Sequence, residues 1–257
     1  MAEESAENKQ RKLEPIGLRV MGSVDPTTLT QEQLRSSPDL LFHGAVNPIT
    51  LSSQFDYDSE EYLKEHDGSQ TLGEGFYSVS DREIAEGYSQ IRQTGRESGP
   101  MLVVIEFLPY QARMLDLRAK TDPTRNAPLP RELFIKWSKH FQDYYSQTEA
   151  RRNLARYVQS MEEQYSAYLL ELQGLPAVDL RVMLGTSPTR NPDIKSLNYP
   201  SPPWMRKFAE FMKKEGYDGL VYIEGEEAPA KRNHDTYVFY NVDKIDSFAG
   251  WQQKKTS

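Results

Sequence analysis

The chain has 257 residues, 37% hydrophobic, 27% charged and 11% aromatic, enough apolar content to bury a core and too much for wholesale disorder. With 31 Lys and Arg against 38 Asp and Glu, the formal charge is −7, which argues against non-specific nucleic-acid binding, where affinity comes from excess positive charge. There is no cysteine, which excludes disulfides, thiolate metal sites and a cysteine nucleophile, and no apolar run approaches the roughly 20 residues needed to span a bilayer.

Residues 1–14 are polar and of mixed charge, which predicts a flexible tail without the apolar stretch of a signal peptide; residues 251–257 read as a second tail. Leu40 to Gly44 predicts a short buried strand ending at a glycine turn, and Gly75 to Val79 a second one. Ser80 with Glu83 three residues on forms a capping-box pattern, so a helix is expected to start near Asp81. Met101 to Leu108 predicts a strand closed by Pro109, and Arg113 to Leu117 another.

Residues 131–173 change character. Leu133, Phe134, Trp137 and Phe141 suggest one helix. Ser146 and Glu149 form a capping box for a longer one, whose stripe runs through Leu154, Tyr157, Val158, Met161, Tyr165, Tyr168, Leu169 and Leu172 to Gly174 and Pro176. Together they predict a helical hairpin inserted in a mostly β protein. Ser201-Pro202 opens a further helix with Trp204, Phe208, Phe211 and Met212 on its buried side and Gly216 at its end. Strands are expected over Tyr217 to Ile223 and Thr236 to Tyr240, with a charged loop from Glu224 to Asn233 between them. No Pro/Gly/Ser linker divides these pieces, so a single α+β domain is expected over 15–250.

Three segments carry the chemistry: Phe42-His43-Gly44, Gly73-Glu74-Gly75-Phe76-Tyr77-Ser78 with Tyr88 eleven residues beyond Tyr77, and Asp235-Thr236-Tyr237-Val238-Phe239-Tyr240. Each alone is also what an ordinary core holds. His43 suits a core imidazole satisfied by a carbonyl, and Tyr77 and Tyr88 suit plain core rings. Gly73-x-Gly75 does not complete a dinucleotide fingerprint, since Ser78 stands at the third glycine position. His66, His140 and His234 lack ligand-like spacing, so no metal site is expected. On a strand, His234 would share the face of Thr236.

In this order the three segments resemble the ADP-ribosyltransferase superfamily, in its His-Tyr-Glu branch of the diphtheria-toxin and poly-ADP-ribose-polymerase type. Val104 to Phe107, Arg113 to Leu117 and Tyr217-Asp218-Gly219 are similar to segments of bacterial members. The likeness covers roughly residues 40–118 and 205–246. It implies split antiparallel β-sheets with flanking helices and the helical hairpin as an insertion. It also implies NAD as co-substrate, bound by His43 through an adenosine-side ribose hydroxyl, by Gly44 through backbone contacts to the carboxamide, and by Tyr77 and Tyr88 around the nicotinamide ring. Ser78 and Ala85 fall among the NAD-binding positions; many relatives carry a serine where Ala85 stands, so looser binding is implied.

The family's catalytic glutamate position is Thr236 here. A hydroxyl can bind the ribose but carries no charge to offset an oxocarbenium-like transition state. Four readings stay open. Thr236 suffices for transfer of a single unit; Asp235 acts through a register slip; Glu224, Glu226 or Glu227 substitutes; or the chain binds NAD or ADP-ribose without chemistry. The resemblance implies a mono-ADP-ribosyltransferase acting on a protein acceptor, a bacterial toxin or effector placed in the cytoplasm or delivered by a dedicated secretion system. Nucleic acid, through a patch such as Arg151, Arg152 and Arg156, or a small molecule is the alternative acceptor. No membrane partner is expected.

Overall fold

The structure is a computed structural model and describes residues 14–45, 75–91, 102–146, 166, 203–224, 232–246 and 252–254. The long stripe expected over 154–172, its boundary residues Glu149, Gly174 and Pro176, and also His66, Gly73, Arg151, Arg152, Arg156, Glu226 and Glu227 lie outside the described residues, as do the side chains of Phe141 and Trp204.

The strands are β1 (Pro15–Met21), β2 (Leu41–Ala45), β3 (Phe76–Val79), β4 (Leu102–Pro109), β5 (Ala112–Ala119), β6 (Asp122–Asn126), β7 (Gly219–Glu224), β8 (His234–Phe239), β9 (Ile245–Asp246) and β10 (Gln252–Lys254). The helices are α1 (Gln31–Arg35), α2 (Arg82–Ile91), α3 (Arg131–Ser146) and α4 (Pro203–Lys214). The α+β class follows directly. The expected division into separate sheets does not: the strands join one sheet in the order β1-β5-β7-β8-β3-β2-β4-β10, with β6 on β5 and β9 on β4. Its pairings are antiparallel except the parallel pair β5–β7. A seam is nevertheless visible, because β2 meets β3 through the single pair Phe42↔Val79.

Alternation along the strands puts one apolar set on each face. On one face, Leu115, Leu117, Leu220, Tyr222 and Val238 are covered by Leu133, Phe134 and Trp137 of α3 and by Phe208, Phe211 and Met212 of α4. Trp137 meets Phe208 edge-on at 5.0 Å, a favourable arrangement for ring quadrupoles. On the other face Phe76, Phe107 and Phe239 form a T-shaped chain with centroids 5.2 and 5.9 Å apart. Helix α4 ends in a Schellman motif: Gly216 takes φ +86°, and Tyr217 N–H donates to the Met212 carbonyl at 3.0 Å.

Three local expectations change. The N-cap of α2 is Asp81, not Ser80; its carboxylate accepts from Glu83 N–H at 2.9 Å. Ser146, expected to cap a second helix, is the last residue of α3, and the helix expected beyond it lies outside the described residues. Residues 252–254, expected in a tail, pair with Leu102 to Val104 of β4. Strands β1 and β6 add pairing that the sequence did not announce, and the outward residues Ile16, Leu18 and Val20 of β1 stay exposed. No helix among the described residues is long and apolar enough to cross a membrane.

Candidate active site

The register of β7 on β8 sets the site. Tyr222 lies opposite Thr236, and Glu224 opposite His234. Two-residue periodicity then puts Tyr222, Glu224, His234 and Thr236 on one face, with Tyr222 under the α3–α4 cover and Glu224 at the end of β7. Thr236 Oγ1 donates to Glu224 Oε2 at 3.0 Å. His234 Nε2 lies 3.8 Å from the same oxygen. The Glu224 side chain is 29% exposed, so a solute can reach it.

Glu224 was expected at the start of a loop; it is the last residue of β7. It brings a carboxylate within hydrogen-bond distance of Thr236. Asp235 does not. The β7–β8 and β3–β8 ladders run without irregularity through this stretch, so the register slip that would turn Asp235 toward Thr236 is absent. Asp235 instead faces the other side and accepts from Arg118 Nη1 at 2.5 Å. Arg118 is also forked onto the fully buried Asp116, at 2.9 and 2.6 Å. These hydrogen bonds to Asp116 hold the guanidinium's pKa well above its ordinary value despite burial. The pair is a structural clamp between β5 and β8.

Tyr88, on the inner side of α2, reaches the same cluster. Its hydroxyl is 3.3 Å from His234 Nε2, and the two rings meet edge-on at 6.0 Å. His234 Nδ1 donates to the Arg232 carbonyl at 3.0 Å, which in the neutral ring leaves Nε2 to accept the Tyr88 O–H. Tyr77, on β3, is half-buried and packs against the core that contains Tyr222 and Tyr240. The Tyr222 hydroxyl is held protonated far beyond its usual range, first by burial, then by the nearby Glu224, Tyr77, Tyr88 and Tyr240. Both expected tyrosines therefore converge on one place, around Tyr222.

His43 enters from the seam. Its Nδ1 donates to the Tyr77 carbonyl at 2.5 Å, and its ring packs on Phe76 at 4.4 Å. The imidazole thus supplies a hydrogen bond to β3 beside the short β2–β3 ladder. Gly44 is required by packing: a Cβ there would lie 2.0 Å from the Ala85 carbonyl oxygen, so α2 rests directly on the β2 backbone. Two expected NAD-binding positions are turned inward. Ala85 is buried with Val79, Ile84 and Val104 beneath α2. Ser78 is buried, and its hydroxyl donates to the Tyr237 carbonyl at 3.3 Å.

No family model, curated protein or solved structure matches the chain.

The helper segments prove structural. Glu106, buried on β4, accepts from Arg82 of α2 at 2.7 Å and tethers that helix. Asp218 accepts from Arg113 N–H and from Asn241 Nδ2, both at 2.9 Å, binding together the ends of β5, β7 and β8. Among the described residues no group of three His, Asp or Glu side chains is arranged to hold a metal. Tyr222 and the strand position of Glu224 were the unforeseen parts of the site. A signal for Tyr222 existed in the alternation Leu220, Tyr222, Glu224, although only the ladder shows which of its faces meets Thr236.

Proposed function

We propose that this chain is a mono-ADP-ribosyltransferase that cleaves NAD at the bond between nicotinamide and ribose and transfers ADP-ribose to a protein acceptor. The observation that carries the reading is the Glu224–Thr236 pair beside Tyr77 and Tyr88: a reachable carboxylate, oriented by a hydroxyl, next to two half-buried rings. Rings of this kind stack on a pyridinium. As the bond lengthens, its electron pair leaves with nicotinamide and positive charge grows on the ribose. Glu224 offsets that charge, an interaction stronger in the transition state than in bound NAD. Thr236 holds the carboxylate in place and competes for it with the ribose hydroxyls. His234, 3.8 Å from Glu224, is the base in this reading that takes the proton released by the attacking acceptor.

The test is release of free nicotinamide and NAD-dependent labelling of acceptor protein in lysate, with nuclease-treated lysate as control. Wild type should do both. Glu224→Gln should lower turnover by about 10²- to 10³-fold with NAD affinity little changed. Asp235→Asn should keep turnover. Full activity in Glu224→Gln refutes the assignment, and NAD binding without nicotinamide release identifies an inactive binding module.

A further inference from the structure

The hydroxyls around the site are almost all engaged. Thr236 donates to Glu224, Tyr88 meets His234, and Ser78 donates to the Tyr237 carbonyl. Tyr222 differs. Its hydroxyl is buried and has no hydrogen-bond partner among the described residues, although the residue is only 4% exposed. A buried hydroxyl without a partner is destabilising, and phenylalanine has the same shape without that cost. Its neighbours are the groups of the candidate site: Glu224 two residues along the same face, Thr236 across the ladder, and Tyr77 and Tyr88 nearby.

We infer that Tyr222 is a ligand-binding residue whose hydroxyl donates to an uncharged acceptor, a carboxamide oxygen, carried on the planar ring held by Tyr77 and Tyr88. The inference rests on the NAD reading above and extends it to specificity. The phenol stays a neutral donor throughout the working pH range, because burial and the adjacent carboxylate oppose its ionisation. It therefore cannot balance a charged substituent. Glu224 nearby repels a carboxylate on the ring, so an acid in place of the amide meets repulsion where the amide meets a hydrogen bond. The site should distinguish nicotinamide from nicotinic acid, and NAD from its deamidated counterpart.

The full-length protein is titrated calorimetrically with nicotinamide, nicotinic acid and NAD, as wild type and as Tyr222→Phe, and the Tm of each is measured. Wild type should bind nicotinamide and NAD and should bind nicotinic acid at least about tenfold more weakly. Tyr222→Phe should lose roughly five- to tenfold in nicotinamide affinity while its Tm stays level or rises. Three results overturn the inference alone: unchanged nicotinamide affinity in Tyr222→Phe, a lowered Tm that reveals an internal partner for the hydroxyl, or equal wild-type binding of nicotinamide and nicotinic acid. If wild type binds neither NAD nor nicotinamide, the functional reading fails and the inference falls with it.

Discussion

Thr236 gains its meaning from a neighbour twelve positions earlier in the chain. Glu224 and Thr236 are diagonal neighbours across the β7–β8 ladder, about 7–8 Å apart at the backbone and within reach of a glutamate side chain. Thr236→Val should therefore cost roughly tenfold in turnover, through loss of the hydroxyl that orients Glu224, and Thr236→Ser should restore most of it. Asp116→Asn acts differently: it leaves the Arg118 guanidinium buried without its main partner and should cost about 3 kcal/mol in urea unfolding. Tyr77, Tyr88 and Thr236 could be singled out as candidates from their order and spacing in the sequence. Glu224 was legible only as one of several carboxylates, and Tyr222 not at all. Which residue faces which across a ladder depends on register, and register is a property of two strands rather than of either sequence alone.

At the scale of elements, α2 is the piece that carries Tyr88 to the site, and three contacts position it: the Asp81 cap, the Arg82–Glu106 pair and the close approach to Gly44. Gly44→Ala should force α2 away from β2, destabilise the domain by about 1–3 kcal/mol and weaken NAD binding by displacing Tyr88; unfolding curves and calorimetry together check both effects. Asp81→Ala should cost about 1 kcal/mol where Ser80→Ala costs little, which separates the observed cap from the one the capping-box spacing suggested. Apolar period and glycine placement made the core strands, the start of α2 and both ends of α4 readable to within about two residues, while α3 runs on to Ser146, which its capping-box pattern had assigned to a following helix. The alternation in β1 was equally plain in Ile16-Gly17-Leu18-Arg19-Val20, but its apolar residues face outward and nothing local names β5 as its partner.

On the scale of the whole molecule, buried phenols predict how the fold responds to alkali. Tyr222, Tyr237 and Tyr240 all have raised pKa values, with burial as the leading cause. An unfolded tyrosine loses its proton near the ordinary value of 10.0, while the folded one keeps it. The unfolded chain then binds fewer protons than the native one, so stability is intact below pH 10 and falls above it, by about 1.4 kcal/mol per pH unit for each such tyrosine. Circular dichroism between pH 9 and 12 should show alkaline unfolding that Tyr240→Phe moves to higher pH.

The seam between β2 and β3 also governs how the protein is made. β1, β3, β5, β6, β7 and β8 lie on one side of it, and β2, β4, β9 and β10 on the other, so the backbone crosses from side to side five times. Neither half is a contiguous stretch of chain. Ser78 of β3 waits for Tyr237, 159 residues later, before its strand has its main partner. A nascent chain leaving the ribosome therefore holds no finished half to shelter in, and a truncation anywhere before β8 leaves both halves incomplete. Folding waits until β8, β9 and β10 have been made and then joins both halves together, with the slow, topology-limited kinetics that distant strand pairing imposes.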